Sequence, residues 1–195
     1  MRRASNSTGA TLRYFIFACE LVLCAVFTAS LSGKLRGRAA YAAFRQAVTG
    51  LTGLGVRGTG LVAPGVVAVE VLLVAICLAP GTGPVGPIAA VLTLTGFTAA
   101  LARTLTRGAT APCVCFGTSG DPIQLHHLAR NGILLAVAAT AAAGRITEHT
   151  ASMFAGLAMA QAAMVAVPAL TLTTVVVRWD DVASLFTPSA GASAR

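Results

Sequence analysis

Apolar runs separated by short polar breaks recur along the chain at residues 12–32, 61–79, 86–102, 128–143 and 152–177. Each approaches the ~20 residues that a helix needs to cross the hydrocarbon core of a bilayer. The pattern predicts an all-α, polytopic membrane helix bundle. Residues 1–11 form a polar tail. The run behind them is too long, and too clearly interrupted by Glu20, for the apolar segment of a cleaved signal peptide, so it reads as a retained helix.

The polar breaks have their own texture. Ser32-Gly33-Lys34-Leu35-Arg36-Gly37-Arg38 reads as a turn. Beyond it Tyr41, Phe44, Val48 and Leu51 recur at helical spacing while Arg38, Arg45 and Gln46 fall elsewhere, which predicts a short amphipathic helix lying in the interface. Gly50, Gly53, Gly55, Gly58 and Gly60 then loosen the chain. Pro80-Gly81-Thr82-Gly83-Pro84 allows only a tight turn, so the second and third runs are expected to be antiparallel neighbours. Residues 144–151 form another polar break, and Pro168 predicts a kink in the last run. Arg178-Trp179-Asp180-Asp181 reads as an interfacial stop, and residues 178–195 as a disordered tail.

Composition agrees. Of 195 residues, 56% are hydrophobic and 10% charged, against about a quarter charged in soluble domains; mean hydropathy is +0.80. The formal charge of +8 arises from fourteen Lys/Arg against six Asp/Glu. These cations are scattered at the ends of apolar runs, where snorkelling, topology and anionic lipids account for them. They form no stripe with interleaved aromatics, which excludes a nucleic-acid reading. Ten Lys/Arg fall on the side that carries residues 103–130 and four on the other, so the charge rule puts that loop on the cytoplasmic side.

That loop holds the chain's most distinctive chemistry, Ala111-Pro112-Cys113-Val114-Cys115-Phe116-Gly117. Of five cysteines, Cys19, Cys24 and Cys77 lie inside apolar runs and read as small buried hydrophobes. Cys113 and Cys115 stand one residue apart in a polar gap. A bent backbone can bring such positions within the ~4.4–6.8 Å Cα separation of a disulfide, and the small ring so closed suits exchange better than bracing. Arg103, Arg107 and Arg130 favour the reactive thiolate, and His126 and His127 can move a proton. Cys77 lies near the opposite face, about 25 Å away by helix rise, so a resolving thiol is expected from another protein. No quinone or flavin signature is recognisable, and no cofactor is predicted.

A rival reading uses the same residues. Cys113, Cys115, His126 and His127 supply two sulfurs and two nitrogens, the ligand set of tetrahedral zinc or a copper site, in a non-enzymatic metal-binding or scaffold subunit. Against it, adjacent histidines converge poorly on one ion. Glu20 and Glu70 are intramembrane carboxylates and candidates for function. Both read as lying near mid-depth with no Lys or Arg at their level, because Lys34 is fourteen residues beyond Glu20, about 21 Å along a helix. The expectation is that both are protonated, hydrogen-bonded to each other or to Thr and backbone groups as structural glue, or that they line a polar cavity reaching the cysteines and handle protons in exchange.

Cys113-Val114-Cys115-Phe116-Gly117, the Arg130-Asn131 that opens the next run, the Gly33-Lys34-Leu35 turn and Glu70 together resemble the methylamine utilisation protein MauE family. That family is related to the DoxX-like four-helix membrane proteins. The likeness covers about residues 12–145 and leaves the fifth run outside, as an additional transmembrane helix at 152–177. The signature commonly has glycine in its middle, where this chain has Val114, which stiffens the loop. The resemblance implies a four-helix core and points to Cys113 and Cys115 as catalytic with Phe116, Gly117, Arg130, Asn131, Glu70 and Lys34 in support; Glu20 joins this supporting set from the reading of the intramembrane carboxylates. It also implies a role in maturing or transporting an exported, disulfide-rich client, the small subunit of methylamine dehydrogenase in the namesake case, beside a thioredoxin-like redox partner. Such a role has the cysteines facing outward, on the oxidising side, against the charge count.

Overall fold

The computed structural model describes residues 2–79, 82–107, 125–148 and 159–178. Among them the regular structure is helical: α1 (Arg2–Leu35), α2 (Arg38–Thr52), α3 (Val56–Leu78), α4 (Val85–Thr106), α5 (Leu125–Glu148) and α6 (Met159–Val177). Three helices contain stretches long and apolar enough to cross a membrane, Thr11–Leu35, Arg57–Leu78 and Val85–Thr106; α6 contributes a shorter apolar stretch, Ala162–Val177. Large apolar side chains point outward, among them Leu61 of α3 (78% exposed), Leu92 of α4 (69%) and Met164 of α6 (78%). In water such faces would be left unburied; against acyl chains they are in their natural solvent. The chain is a membrane protein, all-helical in its regular structure among the described residues.

Its centre is α1, which packs against α2, α3, α5 and α6. At 1.5 Å per residue its 34 residues span about 51 Å, more than the ~30 Å hydrocarbon core. Leu23, Val26 and Phe27 of α1 form one cluster with Leu73 of α3, Leu94 of α4, Leu134 and Ala138 of α5, and Ala169 and Val176 of α6. The fifth apolar run is thus built into the bundle, against the central helix.

Where α5 packs on α1, Gly144 lies tight against Ile16. A methyl group there would lie 2.5 Å from Ile16 Cγ1 and 2.6 Å from its Cδ1. Gly144→Ala is expected to lower stability by about 1–3 kcal/mol through overpacking. Denaturation in detergent checks this, and on an Ile16→Ala background the same change should have little further effect.

Between α1 and α3 the chain makes α2, whose buried Phe44 and Val48 pack on Ala63 of α3 with Tyr41 alongside. Arg38, Arg45 and Gln46 are exposed, as the periodicity predicts. This helix ends at Gly53, whose φ of +67° is left-handed and suits glycine. The other loosening glycines are not all in the connection: Gly50 lies within α2, and Gly58 and Gly60 within α3. Between α3 and α4, Thr82 Oγ1 donates to the carbonyls of Ile76 (3.0 Å) and Ala79 (3.2 Å). Gly86 then sits against Ile76 and Cys77, making α3 and α4 neighbours as expected.

Some boundaries differ from the hydropathy reading. Lys34 lies in the last turn of α1, not in a turn after it. His126 and His127 open α5 rather than precede it, and α5 runs through the expected break at 144 to Glu148. At the ends of α1 and α5 the helix outlasts the apolar run where Lys34 and Arg145 are buried against partners on other helices.

Candidate functional site

Cys113, Cys115, Phe116 and Gly117 lie outside the described residues, as does the proposed disordered tail beyond residue 178. What frames their loop is described on both sides. Arg107 closes α4, its N–H bonded to the Arg103 carbonyl at 3.2 Å, and Leu125 opens α5. These two helices pack on each other more extensively than any other pair among the described elements. In the first turns of α5, His127 (1% exposed), Arg130 (2%) and Asn131 (8%) are buried. His126 and His127 have ring centroids 4.0 Å apart, inclined by 31°. Asn131 Nδ2 donates to Thr98 Oγ1 of α4 at 3.2 Å, tying the start of α5 to its neighbour.

Lys34 and Glu70, singled out separately in the sequence, meet in the interior. Lys34 Nζ donates to Glu70 Oε1 and to Ser30 Oγ at 2.9 Å. Ser30 Oγ in turn donates to the same carboxylate oxygen at 3.2 Å. The ammonium also lies 5.0 Å from the centroid of the Phe44 ring, a favourable cation–π arrangement in a desolvated setting. Glu70 is 0% exposed and Lys34 3%. The other carboxylate oxygen, Glu70 Oε2, is buried with no hydrogen-bond partner among the described residues.

Glu20 has a different partner. Arg145 Nε donates to Glu20 Oε1 at 2.6 Å, and Nη2 donates to Oε2, a two-pronged pair buried on both sides. Glu20 and Arg145 share a small cleft with Cys77, Thr82, Gly83 and Pro87. That places them at the level of the α3–α4 turn.

These contacts correct the expectation that both carboxylates lie at mid-depth without a cation. Lys34 reaches Glu70 because α1 and α3 lie side by side and the lysine stem is long enough to bring its head inward. Glu20 is nearer one end of the bundle, where α5, continuing past its apolar run, delivers Arg145. The two carboxylates belong to separate ion pairs, Lys34–Glu70 and Arg145–Glu20, on different helices. Sequence reasoning missed Ser30, Thr98 and Arg145 as partners. The Ala- and Gly-rich face of α5, with Ala138, Ala141 and Ala142 buried beside Gly144, is the feature that could have announced a close α1–α5 approach.

A cavity of about 240 Å³ lies between α1, α2, α3, α4 and α5. Phe27, Val48, Leu94, Phe97, Leu101 and Leu134 supply much of its apolar wall, and Ser30, Lys34, Glu70 and Asn131 its polar part. Thr52, also in the lining, is exposed, so the cavity reaches the surface near the end of α2. No cluster of three or more metal-ligating side chains occurs among the described residues. The rival zinc or copper set falls half outside them, in Cys113 and Cys115.

Neither the curated proteins nor the solved structures contain a match to this chain. Residues 12–144 match the family of the methylamine utilisation protein MauE. The match covers well over half of the chain, which therefore belongs to the MauE family.

Proposed function

We propose that this MauE-family membrane protein supports thiol–disulfide exchange through Cys113 and Cys115, helping an exported cysteine-containing client to mature beside a thioredoxin-like partner. The observation that carries the reading is a family match over residues that include Cys113-Val114-Cys115-Phe116-Gly117. In the namesake role the client is the small subunit of methylamine dehydrogenase. In sequence the loop connects α4 to α5, and His127 and Arg130 are buried in the first turns of α5. A cation there lowers the free energy of a nearby thiolate. In this reading α1, α3, α4 and α5 form a DoxX-like four-helix core, with α6 added to its side.

The exchange balances as follows. A client thiolate attacks one sulfur of the Cys113–Cys115 disulfide; that bond breaks and a mixed disulfide forms. The client's second thiolate then displaces the loop sulfur, leaving the client oxidised and the loop a dithiol. A thioredoxin-like partner's disulfide accepts the two electrons and restores the loop. This chemistry belongs on the oxidising side of the membrane, so the loop faces outward in spite of the charge count. A membrane-impermeant thiol reagent applied to intact cells should label Cys113 and Cys115 after mild reduction; labelling only in lysed cells would put the loop inside and end the reading.

Interrupting the exchange halfway gives a direct test. In Cys115→Ser the lone Cys113 thiolate attacks the partner's disulfide and no Cys115 thiol remains to resolve the product. A mixed disulfide between Cys113 and the thioredoxin-like partner is therefore expected to accumulate, seen as a reductant-sensitive shift to higher mass on a gel. If no adduct forms, and the purified protein instead retains a metal that Cys113→Ser loses, the metal-binding alternative built on Cys113, Cys115, His126 and His127 takes its place.

A further inference from the structure

The cavity beneath α2 is not used by thiol exchange, and its walls say what it would hold. Its volume of about 240 Å³ exceeds the ~150 Å³ of engineered apolar cavities that stay dry and take up benzene. A ring-sized body fits it, and its surface-reaching rim at Thr52 gives a route in. The polar part of the lining is electrically balanced, because the Lys34 charge is already matched by Glu70. A charged ligand would find no counter-ion there and would meet the full penalty of burial. What the site lacks is a donor. Glu70 Oε1 accepts from both Lys34 and Ser30, whereas Oε2 is buried with no partner among the described residues. A buried acceptor left unmatched is costly and rare.

We infer that this cavity binds an uncharged, lipid-soluble molecule with a compact apolar body and a hydroxyl group that donates to Glu70. The carboxylate is closed off in the structure, 0% exposed. Its terminal torsion is broad, so a small rotation brings Oε2 to the cavity wall. Asn131, supplied to the same lining by α5, offers an amide to any second polar atom. The inference is independent of the thiol chemistry and stands or falls without it.

Matched probes test it on the full-length protein in detergent. 4-Butylphenol should bind at least about tenfold more tightly than butylbenzene, the worth of one hydrogen bond to a charged acceptor. At a hundredfold excess over its Kd it should raise the melting temperature by about 5 °C or more. Glu70→Gln should erase the preference between the two probes, and the cavity-filling Ala100→Leu should abolish binding of both. Two further arms separate the sources of such a hydroxyl: stabilisation by tetramethylhydroquinone assigns the site to a quinol-type ring, and stabilisation by decanol assigns it to a lipid alcohol. Equal affinity for butylphenol and butylbenzene, or phenol binding that survives Ala100→Leu, would overturn the assignment. Because Ala100→Leu leaves both ion pairs intact, that second result remains readable even if Glu70→Gln fails to fold.

Discussion

Replacing Glu20 by leucine is expected to destabilise the folded protein by about 3–5 kcal/mol, the typical effect of removing one member of a buried ion pair. Arg145 donates through both Nε and Nη2 to the Glu20 carboxylate, and both residues are buried. With the carboxylate gone, a guanidinium that cannot shed its proton stays in a low-dielectric interior. The companion variant separates this cause from lost packing. Glu20→Leu with Arg145→Met removes the stranded charge and keeps comparable volume, so it should recover most of the loss. Unfolding in mixed detergent micelles, followed by circular dichroism, gives both values. If the double variant is as unstable as the single one, the pair contributes shape and hydrogen bonding more than charge compensation.

Loss of both thiols is expected to have the largest effect on activity. Cys113→Ser with Cys115→Ser should abolish oxidation of the client at unchanged protein abundance. Serine keeps the size and polarity of cysteine and discards the nucleophile that exchange requires. The measurement is the redox state of the client in cells carrying the variant. Wild-type client oxidation at normal protein abundance would leave this chain a scaffold. Cys19 and Cys24 are buried and Cys77 partly so, and none of them should substitute.

Helix content and membrane character were legible in the sequence because both follow from apolar run lengths, which lipid enforces strongly. The interfacial pattern Tyr41, Phe44, Val48, Leu51 gave α2 correctly for a similar reason: one face needs burial. The ends of α1 and α5 were misjudged because hydropathy stops a helix at Lys34 and at Arg145, where the folded chain buries those side chains. Their partners could not be read locally. Glu20 and Arg145 are separated by 125 positions, and nothing in either neighbourhood names the other. The residues expected around the site divide accordingly: Lys34 and Glu70 meet, Arg130 and Asn131 are buried where the loop rejoins α5, and Glu20 belongs to another end of the bundle.

Both ion pairs involve α1, at different heights and with different helices: Glu20 is held by α5 and Lys34 holds α3. A piston-like slide of α1 by one helical step, about 1.5 Å per residue, would stretch both fastenings at once. Axial displacement of the central rod is therefore the motion this architecture resists most.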